Sequence, residues 1–297
     1  NIGAKKVHEE EPLARHNTLR TGGPADVLFT PHTTGDLQQI LRWTTAEEIP
    51  WIVLGNGSNM LFPDLGYRGV VLKIRGSQVK PETLWHLDHK GHTVSAGAGV
   101  SLARLAAFCA DAGLSGMEWA TGIPGVVGGS VKGNAGAHGS EMGEVVAKID
   151  GMCTSGEICT LNRNELGFEY RHSKIPRDML IVRTMFSMTE DDPERIRRRI
   201  QEYAEYRKKT QPTADQSAGC MFKNPEGDSA GRLIDVAGCK GMAEGGAMVS
   251  EHHANFIVNR GCAKSADAMR LINRIRNRVL DHTGIALTLE VRLVEEL

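Results

Sequence analysis

The sequence has almost no net charge, few aromatic residues and no long apolar run. The first two shortages argue against a nucleic-acid partner, and the third argues against a membrane span. Thirty-five basic residues nearly cancel 36 acidic ones, so no overall field attracts nucleic acid or an anionic membrane. The longest apolar runs, such as residues 51–54 and 70–72, have the length of a strand and are far too short to span a bilayer. We therefore expect neither a nucleic-acid partner nor membrane insertion.

The six cysteines are scattered and form no CxxC pair and no cluster with histidine at metal-ligand spacing. No signal peptide is visible, so a reducing, cytoplasmic location without disulfides or a metal is expected. Because six is an even number, the alternative that the cysteines form three disulfides stays open.

Length and composition predict a packed protein of more than one unit. The 297 residues exceed what a single core usually supports, and 40% hydrophobic with 24% charged residues is ordinary globular usage. Nothing in these bulk values indicates the oligomeric state.

Apolar periodicity predicts a mixed order of helices and strands. Thr33 and Asp36 form a capping-box-like start, and Asp192 followed by Pro193 opens another helix. The predicted helices are 33–43, 101–112, one starting at 192 with Ile196, Ile200 and Tyr203 as its buried stripe, and 265–282. The predicted strands are 51–54, 70–74, 92–96, 145–150, 157–161, 179–188, 255–258 and 287–294.

This order predicts an α+β fold rather than a doubly wound parallel sheet. The predicted divisions are a lead-in at 1–20, a region at 21–189 with subdomains at about 21–75 and 76–189, and a C-terminal α+β domain at 190–297. Within the last of these, residues 217–248 are expected to be irregular and rich in glycine.

Two glycine-rich segments are candidates for binding phosphate through the main chain. Residues 55–61, Gly-Asn-Gly-Ser-Asn-Met-Leu, follow a predicted strand, although on their own they are more typical of a tight turn and are not a dinucleotide fingerprint. Residues 121–139 are denser in glycine than a mere connection needs, because each ordered glycine costs extra conformational entropy. A phosphate-bearing cofactor lying along the exposed main chain would offset that cost.

Several motifs in the same order resemble those of UDP-N-acetylenolpyruvoylglucosamine reductases, which belong to the vanillyl-alcohol-oxidase-like flavin proteins. The resemblance covers nearly the whole chain and is carried by RTGGPAD (20–26), GNGSNML (55–61), GIPGVVGGSVKGNAG (122–136), FEYRHS (168–173), SAGCMFKNP (217–225), AGRLIDVAGCKG (230–241), HANFIVN (253–259) and LEVRLV (289–294). Residues 174–178 leave no room for the substrate-covering loop of the longer subclass, so the chain resembles the shorter one.

The resemblance implies a FAD-binding region at 21–189 and a substrate-binding domain at 190–297. It also implies non-covalent FAD, NADPH as the reductant, and reduction of UDP-N-acetylglucosamine enolpyruvate to UDP-N-acetylmuramate in cytoplasmic peptidoglycan synthesis. A flavin oxidase of a sugar or alcohol, and a non-catalytic sensor of UDP-sugars, remain the alternatives.

Three residues match the family's catalytic positions. Arg171 corresponds to the arginine that stabilises the enolate, whereas without the motif it would be a loop arginine paired with an acid. Glu290 corresponds to the catalytic glutamate, whereas alternation on the predicted last strand would make it a solvated partner of Arg292.

Cys220 occupies the position of the proton donor, where many family members carry serine. A thiol has a reference pKa of about 8.5 and gives up a proton to a carbanion-like centre far more readily than an alcohol does. The alternative is an inert buried cysteine, which is the expectation for the other five.

The resemblance also implies binding residues. For FAD these are Gly55, Asn56, Gly57, Ser58, Asn59, Met60, Leu61, Thr121, Gly122, Pro124, Gly125, Gly128, Gly129, Ser130, Asn134, Ala135 and Gly136. For the UDP phosphates or sugar they are Lys223, Asn224 and Arg232.

Overall fold

The computed structural model describes residues 6–74, 84 and 86–295. Among them lie eight α-helices: α1 (Thr34–Ala46), α2 (Leu102–Asp111), α3 (Val127–Lys132), α4 (Met142–Val145), α5 (Arg163–Leu166), α6 (Pro193–Thr210), α7 (Ala230–Val236) and α8 (Ser265–Thr283). The strands are β1 (Val7–Pro12), β2 (Pro24–Phe29), β3 (Trp51–Leu54), β4 (Met60–Leu61), β5 (Tyr67–Lys73), β6 (Leu87–Lys90), β7 (Thr93–Gly97), β8 (Leu114–Ser115), β9 (Gly136–Ala137), β10 (Ser140–Glu141), β11 (Val146–Met152), β12 (Ile158–Asn162), β13 (Leu180–Ser187), β14 (Thr189–Glu190), β15 (Gln216–Cys220), β16 (Ala243–Glu244), β17 (Ala247–Val249), β18 (Phe256–Asn259) and β19 (Arg292–Leu293).

This mixture of helices and mostly antiparallel strands confirms the predicted α+β class. The capping box at the start of α1 is also confirmed: the Thr33 side chain accepts the Asp36 N–H, and the Asp36 carboxylate accepts the Thr33 N–H. No helix of the described residues is long and apolar enough to cross a membrane.

The chain forms two compact units. Unit 1 comprises Asn1–His8, Leu28–Asn56 and Gly69–Tyr206. Its largest sheet has five strands in the order β12-β11-β13-β7-β6, with every neighbouring pair antiparallel. In the same unit β3 pairs in parallel with β5 from Trp51↔Val70 to Leu54↔Lys73.

Unit 2 comprises Glu9–Val27, Gly57–Arg68 and Arg207–Leu297. A four-stranded sheet, β15-β18-β17-β16, packs with α7 and α8 around one apolar core. Leu19 and Leu61 belong to this core and are almost fully buried in it. Burying such side chains contributes about 1.5–3 kcal/mol each, which explains why two early segments of the chain join a C-terminal unit.

The compact units divide the chain at other positions than the predicted domains, whose bounds stay a prediction. Residues 9–20 belong to unit 2, and the division between the units falls at 206/207 inside α6, whereas the predicted boundary is at 189/190. The sequence signal at Asp192 marks the start of a helix, which is a local feature, whereas the division depends on packing between distant segments. The predicted subdomain boundary at 75/76 lies outside the described residues.

The C-terminal third differs from prediction in two places. The predicted strand at 287–294 is reduced to a bridge between Leu289 and Phe222 and to β19. Its alternation breaks because Glu290 and Val291 both donate their N–H groups to the Met221 carbonyl, at 2.8 and 3.3 Å. Residues 217–248 are also more ordered than expected, since they contain α7, β16 and β17.

Helix α6 begins where predicted, because the Asp192 carboxylate accepts the N–H groups of Glu194 and Arg195. Of its predicted buried stripe only Ile196 is fully buried, while Ile200 and Tyr203 are half-buried. The helix is instead anchored through Arg199, which donates to Glu118 and to Asp191, each at 2.7 Å.

The Glu118 carboxylate is the buried member of this network. Burial disfavours its charged form, but hydrogen bonds from Arg199, the Gly116 N–H and the Ser115 hydroxyl outweigh that effect and lower the Glu118 pKa. A depressed carboxyl pKa contributes stability above the pKa of the unfolded chain, and that stability is lost as the pH falls through the folded-state value.

We expect Glu118→Gln to lower the free energy of unfolding by about 2 kcal/mol at neutral pH, because Arg199 would lose its buried anionic partner and keep only Asp191. The loss is below that of a fully buried pair since the Arg199 side chain is 35% exposed. Urea unfolding should show the difference shrinking below about pH 4 as Glu118 itself becomes protonated. The exposed Glu202→Gln on α6 is the matched control, and an equal effect in both variants would contradict the assignment.

Candidate functional site

Within unit 1, the two glycine-rich segments meet. The Asn56 side-chain N–H donates to the Pro124 carbonyl at 3.0 Å, and a Cβ on Gly55 would lie 2.5 Å from a methyl group of Val126. Gly55 therefore permits a close approach that any larger residue would prevent. The Asn56 Oδ1 atom is buried and has no hydrogen-bond partner among the described residues, so it is an acceptor available to a ligand.

The second segment turns into the short helix α3, which was not predicted. Gly128 packs tightly, since its N–H donates to the Ala98 carbonyl at 2.9 Å and a Cβ there would meet the Ala98 side chain. A Cβ on Gly129, in contrast, would find no described atom within 4 Å. Gly129 thus leaves open the kind of bare main-chain surface that a phosphate or flavin group can approach.

The predicted binding residues beside α3 take different positions. Ser130 is buried, its oxygen would lie 2.8 Å from a Cβ on Gly125, and its carbonyl accepts the Ala135 N–H at 2.8 Å. Thr121 follows a 3-10 helix and is half-buried, and Gly122 has a left-handed backbone. Pro124, Gly125 and Ser130 therefore shape the loop, while the main chain at Gly129 faces open space.

Asn134 organises the loop from within. It is fully buried, its side-chain N–H donates to the Glu169 carbonyl at 2.8 Å, and its Oδ1 accepts the Gly143 N–H at 2.9 Å. With both ends of the amide engaged, Asn134 links the glycine-rich segment to the FEYRHS motif that contains Arg171.

Arg171 lies on that motif beside the β9–β10 hairpin. Its Nη2 donates to the Gly136 carbonyl at 2.8 Å, and its guanidinium lies 5.2 Å from the centre of the Tyr170 ring. A Cβ on Gly136 would come within 3.1 Å of Nη1, so the glycine leaves room for the guanidinium. Arg171 has φ +53°, a left-handed backbone that surrounding contacts must hold, as is common at functional sites.

The tip of that hairpin carries an aromatic contact that the sequence analysis missed. His138 stacks on Tyr203 of α6 with ring centres 4.1 Å apart and meets Tyr206 edge-on at 5.4 Å. The helical spacing of the two tyrosines was visible in the sequence, but their partner in a distant turn was not.

In unit 2, the rest of the first glycine-rich segment is joined to the end of the chain. β4 pairs in parallel with β19, through Met60↔Arg292 and Leu61↔Leu293. The Asn59 side-chain N–H donates to the Glu290 carbonyl at 3.1 Å, and the Asn59 carbonyl accepts the Arg292 N–H at 3.0 Å. Met60 and Leu61 are buried, so they hold the loop in place from the core side.

The turn at the start of this stretch also requires glycine. Gly57 has φ +64°, and a Cβ there would lie 2.6 Å from Asn17. Its carbonyl accepts the Thr18 N–H at 3.3 Å.

Cys220 and Glu290 are neighbours in unit 2. Cys220 ends β15 and is half-buried, and the next residue, Met221, accepts the Glu290 N–H through its carbonyl at 2.8 Å. A Cβ on Gly219 would lie 3.6 Å from the Ser58 carbonyl, which places the glycine-rich loop beside the same strand. The structure therefore brings together, within one unit, two of the three predicted catalytic residues and part of a predicted cofactor loop.

Arg207 is a charged residue at this place that the sequence analysis did not select. Burial lowers the pKa of its guanidinium, and interaction with the Cys220 sulfur opposes that shift. Its Nε is buried without a hydrogen-bond partner among the described residues. Arg207 as a whole is half-buried, and no ion pair to a carboxylate is seen for it among the described residues. In the sequence it was only one of several cations in the basic run of α6.

The three predicted substrate contacts occupy different roles in unit 2. The Asn224 side-chain oxygen accepts the Ala230 N–H at 3.0 Å, next to the start of α7. The Arg232 guanidinium donates two hydrogen bonds to the Asp228 carboxylate and lowers the Asp228 pKa to about 2. Lys223 bonds through its N–H to the Thr288 carbonyl at 2.8 Å and is half-buried.

These features fit a flavin dinucleotide. The bare glycine surface suits the pyrophosphate of such a cofactor, while the buried Asn56 Oδ1, which is an acceptor, suits a hydroxyl or N–H donor on another part of it. Within unit 1, Asn56 and the main chain at Gly129 are the residues expected to hold it.

Comparison with known families gives the same assignment. Residues 25–162 match a family model described as an FAD binding domain, and residues 211–294 match one described as the C-terminal domain of UDP-N-acetylenolpyruvoylglucosamine reductase. The chain therefore contains a FAD-binding domain.

Curated relatives are similar over nearly their full length. The UDP-N-acetylenolpyruvoylglucosamine reductase of Heliobacterium modesticaldum is 44% identical over 96% of this chain and 90% of its own. The protein of the same name from Bacillus subtilis strain 168 is 40% identical over 97% of this chain and 94% of its own.

Similarity to solved structures indicates the same family. The UDP-N-acetylenolpyruvylglucosamine reductase of Thermus caldophilus superposes with a TM-score of 0.83 at 39% identity, covering 98% of both chains. The glucose dehydrogenase Phl p 4.0202 shares only 13% identity, with a TM-score of 0.50 over 65% of this chain and 43% of its own, and so shows a common fold alone.

Proposed function

The chain belongs to the family of UDP-N-acetylenolpyruvoylglucosamine reductases, and on that premise we propose that it reduces UDP-N-acetylglucosamine enolpyruvate to UDP-N-acetylmuramate. NADPH is the reductant, and the place of action is the cytoplasmic assembly of peptidoglycan precursors. The observation that carries the proposal is the adjacency of Cys220 and Glu290 in unit 2, because a reductase of an enol ether needs a proton donor as well as a hydride.

When bound, FAD supplies the hydride that is added to the terminal vinyl carbon of the substrate. Negative charge then develops on the neighbouring carbon and its carboxylate. Arg171 offers a planar fork of N–H donors that can hold such a carboxylate in two hydrogen bonds. Stabilising charge where it develops is usually the largest single contribution to catalysis.

Cys220 donates the proton that completes the reaction, from Sγ to the carbon beside the carboxylate. Proton loss leaves a thiolate, and the Arg207 guanidinium in the same unit is available to stabilise it. Glu290, held beside Cys220 through the Met221 carbonyl, is proposed to assist the proton transfer.

For the nucleotide we propose Lys223 as a phosphate contact and Asn224 as a residue that shapes its loop. Arg232 is a weaker candidate since Asp228 already occupies its guanidinium, and a phosphate would have to displace that carboxylate.

The proposal is tested by separating the two half-reactions. Without oxygen, NADPH should bleach the flavin absorbance, and UDP-N-acetylglucosamine enolpyruvate should restore it in a single turnover. Turnover of a sugar alcohol with oxygen would instead favour a flavin oxidase. Binding of the UDP-sugar without any flavin would favour a sensor.

Arg207→Met is expected to slow the substrate half-reaction by on the order of tenfold to a hundredfold, because a charge-assisted contact to a thiolate is worth about 1.5–3 kcal/mol. Reduction by NADPH should change little. Loss of the cation raises the thiol pKa, so the alkaline limb of the pH–rate profile should move to higher pH.

The control for this prediction is Arg198→Met, which removes the same charge from an exposed position on α6. It should leave both half-reactions and the pH profile unchanged. A profile that does not move in Arg207→Met would mean that Arg207 has only a structural role.

A further inference from the structure

A second pair of reactive side chains lies in unit 1, outside the residues proposed for catalysis. The Sγ atoms of Cys153 and Cys159 are 3.4 Å apart, and both residues are free and half-buried. Both belong to the five cysteines that were expected to be inert, and nothing in their sequence spacing marks them as a pair. The structure makes them neighbours.

The pairing arises from the register of the β11–β12 hairpin. Gly151 lies opposite Cys159, and the Cys153 N–H donates to the Glu157 carbonyl at 2.9 Å. Cys153 and Cys159 are therefore diagonal neighbours that project from the same face. Both side chains are only half-buried, so a small reagent can reach them.

The turn between the two cysteines is held in place by α1. Arg42 donates to the Ser155 carbonyl at 3.0 Å, and Gln38 donates to the Gly156 carbonyl at 3.1 Å. Thr45 adds a longer bond to the Thr154 carbonyl at 3.4 Å. These hydrogen bonds from α1 hold the backbone of the turn, and so they help to fix the positions of the two cysteines.

Forming a covalent bond here needs little movement. A disulfide has an S–S distance of about 2.05 Å, so the sulfurs must approach by about 1.4 Å, through side-chain rotation together with a small shift of the hairpin backbone.

We propose that Cys153 and Cys159 are a reversible oxidation site, at which hydrogen peroxide converts the two thiols into a disulfide that closes the hairpin. One thiolate attacks an oxygen of the peroxide, which breaks the O–O bond, forms a sulfenic acid and releases hydroxide, to be protonated to water. The second sulfur then attacks the first, the S–S bond forms, and the sulfenic oxygen leaves as a second water. The two cysteines lose two electrons in total, and the peroxide gains them.

The groups around Cys153 also predict how its oxidation depends on pH. The hydrogen bond to Cys159 raises the pKa of the Cys153 thiol, as do burial and the nearby charges of Asp178 and Glu157. A raised thiol pKa means less Cys153 thiolate near neutral pH, so oxidation that begins at Cys153 becomes faster as the pH rises.

The test uses the full-length holoenzyme and a limited excess of hydrogen peroxide at neutral and alkaline pH. Remaining thiols are then alkylated, and the chain is digested without reductant. We expect the thiol count to fall from six to four, a cross-linked peptide joining Cys153 to Cys159, and full reversal by dithiothreitol. The oxidised protein should melt on the order of 5 °C higher, because a closed loop restricts the unfolded chain.

Cys153→Ser and Cys159→Ser should each abolish the cross-link and the rise in melting temperature. Cys262→Ser, at an exposed cysteine outside the pair, should leave both intact. If one serine variant folds poorly, the other can be used for the test, because either substitution removes one of the two sulfurs that the disulfide needs. A cross-link that forms only in denaturant, or oxidation of Cys262 with no cross-linked peptide, would overturn the proposal.

This inference does not depend on the proposed reaction. The pair lies outside the residues assigned to catalysis, so the disulfide-containing enzyme should keep its rate provided that Cys220 remains a thiol. Failure of the reductase assay would leave the thiol count and the cross-link unaffected.

Discussion

Cys220→Ala is expected to slow the reoxidation of the reduced flavin by substrate by on the order of 10³ to 10⁴, the range of a well-placed general acid. Reduction by NADPH should remain within about twofold of wild type, because it needs no proton from this position. Rapid mixing of pre-reduced enzyme with the enolpyruvyl nucleotide, without oxygen, separates the two steps.

Cys220→Ser is the informative companion because a hydroxyl can still carry the proton, as the resemblance implies for many family members. It should retain much more activity than the alanine variant. Its pH–rate profile should lose the alkaline limb attributed to the thiol, since an alcohol does not ionise in the accessible range. Equal loss in both half-reactions of Cys220→Ala would mean that the residue is structural.

Arg171→Ala is expected to slow the same half-reaction by on the order of 10² to 10³, as removal of a donor to a developing oxyanion does. Arg171→Lys should recover only part of the loss, because an ammonium group cannot form the bidentate contact. The Arg171 side chain also donates to Gly136, so flavin binding must be measured in each variant to separate loop support from catalysis.

Arg177→Ala is the matched control, as it removes an exposed arginine a few residues further along the chain. It should leave the substrate half-reaction unchanged. If Arg171→Ala weakens flavin binding while single turnover of the bound fraction stays normal, Arg171 shapes the loop and is not catalytic.

The elements that the sequence predicts well are those determined by near neighbours. The start of α1 follows from Thr33 and Asp36, and the start of α6 from Asp192, because a helix cap is complete within four residues. The α+β class follows in the same way from the order of such elements.

What the sequence could not predict depends on distant partners. Leu19 joins a core made largely of residues beyond 217. Arg207 stands out only once its half-buried side chain is seen to interact with Cys220. The Cys153–Cys159 pair needs the register of a hairpin, which a shift of one residue would undo. Motif order identified the family, while packing determined which residues meet.

The pairing of β4 with β19 bears on how the protein matures. Asn59 and its partner Glu290 are 231 residues apart in the chain, so their hydrogen bond cannot form until Glu290 has been synthesised. Contacts of such long range form late and slow the search for the native state. A nascent chain therefore emerges with Asn59 and Met60 still without these partners, and this half of the loop gains its final shape only after residues 290–293 have been synthesised.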